Sequence, residues 1–191
     1  MFGTVLKSIA ITPVILLFLL CNSAFSSQND GSIGEVIGEV FAEETVDKAS
    51  DIFNSLDIGK EDKQGILKTV EWMVSSDLKA EAVLEYLSQA SVLSGAGIST
   101  KDISHKIREG IAKGISQERI IAVLKDRVQR LKDARVLALT LENEGVGFLD
   151  RQMSYRILAD YLSRGIPSDK IMSKALKRDF EDYQALESVV E

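Results

Sequence analysis

His105 is the only histidine in the chain, and it stands between two carboxylates at helical spacing. Asp102, His105 and Glu109 lie three and four residues apart, so a helix sets them along one face. An imidazole flanked by carboxylates is half of a metal site. The apolar residues of the same segment, Ile103, Ile107 and Ile111, gather on the opposite side at 3.6 residues per turn. The triplet is therefore expected to face solvent beside Arg108 and Lys113 as an ion-paired surface. A metal site would need further ligands, and the sequence offers neither a second histidine nor any cysteine beyond Cys21. No metal ligand is assigned.

Other chemistry finds less support. No G-x-S-x-G segment is present, and a Ser–His pair would have to recruit His105. Phosphate-binding glycine loops, calcium loops and haem-attachment cysteine pairs are missing from the sequence, so no cofactor and no catalytic residue is assigned. With 29 acidic residues, paired carboxylates remain available, which keeps open a carboxylate-dependent hydrolase of an envelope polymer. Asp179 falls within an apolar stripe of Ile171, Met172, Ala175, Leu176, Tyr183 and Leu186. A carboxylate buried there needs a partner, and an arginine of the basic segment described below is the expected one. Trp72 projects away from Ile66, Val70, Met73 and Val74. The expectation is that a neighbouring helix covers it; the alternative is an exposed anchor for a partner.

The elements that must position these residues are helices. Apolar residues recur at three- and four-residue spacing, as in Ile120, Leu124, Val128, Leu131, Leu137 and Leu141. A corner motif appears three times: Gly97-Ile98-Ser99-Thr100-Lys101-Asp102-Ile103, Gly114-Ile115-Ser116-Gln117-Glu118-Arg119-Ile120 and Gly165-Ile166-Pro167-Ser168-Asp169-Lys170-Ile171. Glycine accepts the left-handed backbone that ends one helix. Ser99, Ser116 or Pro167 then caps the next, an acid follows in its first turn, and the isoleucine pairs Ile98/Ile103, Ile115/Ile120 and Ile166/Ile171 have the spacing of a hydrophobic staple. These corners resemble those of helical-repeat proteins in general, a likeness that covers the corners alone and carries no activity. The expected helices are 32–54, 60–74, 77–94, 100–113, 117–143, 148–164 and 168–189. Corners separated by 17 and then 51 residues argue against a long solenoid. The predicted fold is all-α: a compact bundle of about six to seven helices built from helix–turn–helix hairpins.

The N-terminus reads differently. Lys7 is its only charge, and the apolar run Ile9–Cys21 is too short for a bilayer core of about 20 residues. Small residues follow, and Ala24-Phe25-Ser26 suits cleavage before Ser27. Residues 1–26 are thus expected to be a signal peptide and 27–191 one helical domain, with lipidation at Cys21 as the competing outcome. The mature chain would lack cysteine and be exported, to the periplasm or beyond, in a bacterial envelope.

Charge is uneven along the chain. Residues 27–100 carry 14 acidic and 5 basic groups, residues 101–135 carry 10 basic and 5 acidic, and residues 136–191 carry 7 basic and 10 acidic. The basic segment either packs beside acidic helices or presents a cationic surface. Nucleic acid is excluded as a partner by the compartment and by the lack of an aromatic platform. Ser32 and Glu35 form a capping box in a segment that also carries Gly34 and Gly38; this first helix is expected to pack within the fold, with self-association or membrane contact as the alternative. The function expected is a non-enzymatic binding or scaffold module acting through helix faces. Such a module leaves open a protein partner or self-association; the alternatives are the hydrolase and a peripheral membrane protein using the first helix and residues 101–135.

Overall fold

The computed structural model describes residues 32–177. The proposed signal peptide, residue Asp179 and positions 178–189 of the last expected helix lie outside them; within them, the helix that begins at Ser168 runs only to Ala175. The described residues form eight α-helices and no strand: α1 (Ile33–Ile37), α2 (Glu43–Ser55), α3 (Lys60–Ser75), α4 (Ala80–Gly95), α5 (Lys101–Ala112), α6 (Gln117–Asn143), α7 (Arg151–Ser163) and α8 (Ser168–Ala175). The all-helical prediction holds.

The corners form as the glycines require. Gly97, Gly114 and Gly165 have φ of 67°, 65° and 77°. At each, the following isoleucine N–H reaches back five residues: Ile98 to Leu93 O (2.9 Å), Ile115 to Gly110 O (3.0 Å) and Ile166 to Tyr161 O (3.2 Å). These are Schellman closures, which satisfy carbonyls that the helix end would otherwise leave open. Two more corners share the geometry. Gly145 (φ 93°) carries Val146 N to Leu141 O at 2.9 Å, and Asp77 (φ 57°) carries Leu78 N to Met73 O at 3.0 Å. The Asp77 corner, Asp77-Leu78-Lys79-Ala80-Glu81-Ala82-Val83, is a fourth copy of the motif without its glycine, since aspartate tolerates the left-handed region.

Three expectations need correction. The helix expected over 32–54 is two, because the backbone turns over Gly38–Ala42 and α1 folds onto α2 and α3. Ser32 Oγ accepts from Glu35 N (3.3 Å) as the capping box predicts, and Ile33 and Ile37 are buried in the core, so α1 packs within the fold as expected. Ser99 is not the N-cap of α5: Thr100 is, with Ser99 Oγ accepting from Lys101 N at 3.3 Å. Ser116 is the N-cap of α6 but makes no side-chain cap bond.

Packing skips a helix. α2 lies on α4, α3 on α5, α4 on α6 and α6 on α8, while the broadest contact joins α6 to α7. A sharp corner aims each helix away from its predecessor, so its apolar face meets the helix before that one. The core of Ile66, Met73, Tyr86, Leu87, Leu93, Ile103, Ile107, Leu124, Leu131 and Leu141 runs continuously through these layers. No helix among the described residues is long and apolar enough to cross a membrane.

Candidate functional site

Two side chains from distant elements hold corners in place. Gln152, on α7, donates from Nε2 to Gly97 O (2.9 Å) and accepts Ser99 N–H on Oε1 (2.8 Å). Gln117, opening α6, accepts Lys79 N–H at 2.8 Å. Ser99 and Lys79 occupy the same place in their corner motifs. In both copies the backbone N–H there is satisfied by a glutamine at the start of a later helix.

Charge is concentrated where α5, α6 and α7 meet. Arg127 is 8% exposed and Asp102 9%. Arg127 donates to Asp102 through both Nε (2.7 Å to Oδ1) and Nη2 (2.9 Å to Oδ2), the bidentate fork geometry. Its Nη1 donates to Asp160 Oδ1 at 2.6 Å, and Arg156 Nε stands 3.4 Å from Asp102 Oδ2. Burial pushes the Asp102 carboxyl up, yet the hydrogen bonds and charge of Arg127, with the charges of Arg156 and Lys106, bring it below the usual carboxylate range. Burial likewise opposes the Arg127 charge, and Asp102 and Asp160 raise its pKa beyond the ordinary arginine value.

The expectation that Asp102 faces solvent with His105 and Glu109 is therefore wrong. His105 is exposed and Glu109 half-exposed, but Asp102 sits under α6 and α7, where the buried arc of α5 widens to take in residues 102–104. The sequence did carry a signal. Arg127 lies three residues after Leu124 and four before Leu131, inside the stripe of α6, and an arginine there calls for a buried acid.

A second buried polar set lies nearby. The Tyr86 and Ser104 hydroxyls are 2.6 Å apart, and Ser104 Oγ donates to Thr100 O at 2.9 Å, which leaves Tyr86 as donor to Ser104. Burial pushes the Tyr86 phenol up to about 12.

A groove of about 270 Å³ lies between α5 and α6. Its floor is Ile107, Ile120 and Leu124; Ile115 and Val123 stand on its wall; Lys106, Lys113 and Arg119 supply cations around it. The helices come close because Gly110 lacks a side chain: a Cβ there would lie 2.9 Å from Ile120 Cγ1. One carboxylate, Glu109, reaches the rim, bonded to Lys113 (2.5 Å) and Lys106 (3.2 Å), which hold it at a pKa of about 2. Ile98 is 3% exposed at its corner, whereas Ile115, at the same place in the motif, is 42% exposed, and Val123 beside it 43%.

Elsewhere the basic segment meets acids of earlier helices. Lys101 lies 3.6 Å from Asp62 of α3, and Lys125 3.1 Å from Glu85 of α4. Trp72 is 44% exposed, so no neighbouring helix covers it as expected. No group of three or more His, Cys, Asp or Glu among the described residues is placed to hold a metal ion. No protein-family model, no curated protein and no solved structure matches this chain.

Proposed function

We propose that the protein is a non-enzymatic binding module, exported into the envelope, and that the α5–α6 groove is the helix face through which it binds. The observation that carries this reading is the exposure of Ile115 at a corner whose counterpart Ile98 is buried. An apolar staple residue left open beside Val123, over an apolar floor and under three cations, suits an anionic amphipathic ligand. Hydrolysis by carboxylates fits the groove poorly. A proton-donating acid needs a raised pKa, and Glu109 is held down to about 2 by Lys113 and Lys106.

The test uses anilinonaphthalene sulfonate, an anionic apolar probe, with NMR mapping on the full chain. Perturbed amides at Gly110, Ile115 and Val123 are expected, with about tenfold weaker binding (~1.4 kcal/mol) in Val123→Asp and Arg119→Glu. Perturbations confined to other faces, with both variants folded and binding normally, would remove the groove from consideration. Export is tested separately by sequencing the N-terminus of the protein isolated from its native cell, which should begin at Ser27. An intact Met1 would refute it.

A further inference from the structure

The groove has a complementary segment in the same chain. Residues 178–191, which lie outside the described residues, read Arg-Asp-Phe-Glu-Asp-Tyr-Gln-Ala-Leu-Glu-Ser-Val-Val-Glu: five carboxylates against one guanidinium in 14 residues. Phe180, Tyr183, Leu186 and Val190 recur at three- and four-residue spacing, the pattern of a segment that presents one apolar side. The groove offers the converse: an apolar floor with Lys106, Lys113 and Arg119 around it and Glu109 as its single carboxylate. We propose that this acidic C-terminal segment docks intramolecularly in the α5–α6 groove and occupies it in competition with external ligands. The proposal rests on the reading of the groove as a binding face.

Reach permits it. The tail follows α8, which packs on α6, the helix that forms one wall of the groove. Fourteen extended residues span about 46 Å, more than the roughly 40 Å length of the 27-residue α6. From the middle of that helix, about 20 Å away, roughly eight of the fourteen residues remain free to lie in the groove. Tethering also raises the local concentration of the tail to the millimolar range. A segment that binds only at about 0.1–1 mM as a free peptide would then fill the groove from half to about nine-tenths of the time. External ligands would bind roughly 2- to 10-fold more weakly than to the open groove.

The experiment compares the native full chain with a full chain carrying Asp179→Asn, Glu181→Gln and Asp182→Asn. These changes add no bulk and fall outside the described core. The expected result is a shift of the Gly110, Ile115, Arg119 and Val123 amides between the two proteins. A labelled peptide of sequence 178–191 should bind the neutralised chain about 2- to 10-fold more tightly than the native one, and Arg119→Glu in the neutralised chain should abolish that gain. If anilinonaphthalene sulfonate maps to the groove but the tail substitutions change neither the amides nor the peptide affinity, tail docking is refuted and the groove reading stands. If the probe fails to bind both chains, the groove reading falls and this proposal with it. A concentration-dependent dimer lost on tail neutralisation would overturn docking within one chain.

Discussion

Replacing Arg127 by methionine tests the buried charge cluster directly. Methionine fills a similar volume, so what is lost is the fork that holds Asp102, while the carboxylate stays nearly buried with Arg156 as its remaining charged neighbour at 3.4 Å. Breaking one side of a buried ion pair costs about 3–5 kcal/mol. The lower end applies here, because Arg156 remains and Asp160 is half-exposed and can return to water. A loss of about 3 kcal/mol corresponds to a fall in Tm of roughly 6–12 °C for a domain of this size.

The sign with pH follows from linkage. In the native protein Asp102 is depressed below its unfolded value, so its contribution is present above that value and disappears as pH falls through the folded one. In the variant, burial without the fork raises the same carboxyl above its unfolded value, and acid relieves the penalty. The difference between the two proteins should therefore be largest near neutrality and shrink towards pH ~3–4. Urea unfolding across that range, followed by circular dichroism, measures it. Arg127→Met with Asp102→Leu should recover to within about 1 kcal/mol of native, since an apolar pair avoids desolvating charge. A single variant as stable as the native protein, or a deficit that does not change with pH, would refute the assignment of a net stabilising, ionised pair.

Other outcomes follow from the same coordinates. Tyr86→Phe should cost about 1 kcal/mol in denaturant unfolding, because Ser104 keeps its bond to Thr100 O and no buried donor is stranded. In the native protein one tyrosine should ionise only near pH 12 by ultraviolet titration; as its folded pKa lies above the unfolded one, its contribution is intact below pH ~10 and fades as pH rises through 12. Gly114→Ala must hold φ near 65° with a Cβ, and should lower stability by about 1–2 kcal/mol although nothing crowds the site. Gln152→Ala should release the Ser99 amide, seen as faster hydrogen exchange at Ser99 with exchange at Ile115 unchanged.

Local chemistry in the sequence settles a good deal of this protein. Helix-period apolar spacing and the glycine–isoleucine corners specify an all-α fold and place α6 at 117–143, because a left-handed residue and a bond reaching back five residues are short-range events. The same rules part the expected helices 60–74 and 77–94 near Asp77, but not as a copy of the corner motif, because aspartate stands there in place of glycine. The break between α1 and α2 was less visible, since two glycines weaken a helix without saying where it must end.

Tertiary structure decided the rest. Asp102 looks like a surface acid within its own helix; it becomes a buried ion-pair partner only because α6 and α7 close over the start of α5. Arg127 could have announced that need from within its stripe, but not which of 29 carboxylates would meet it. Ile98 and Ile115 share a motif and a local conformation, yet one is sealed in the core and the other opens onto a groove. Burial belongs to the helices that arrive from elsewhere, and no local pattern encodes their arrival.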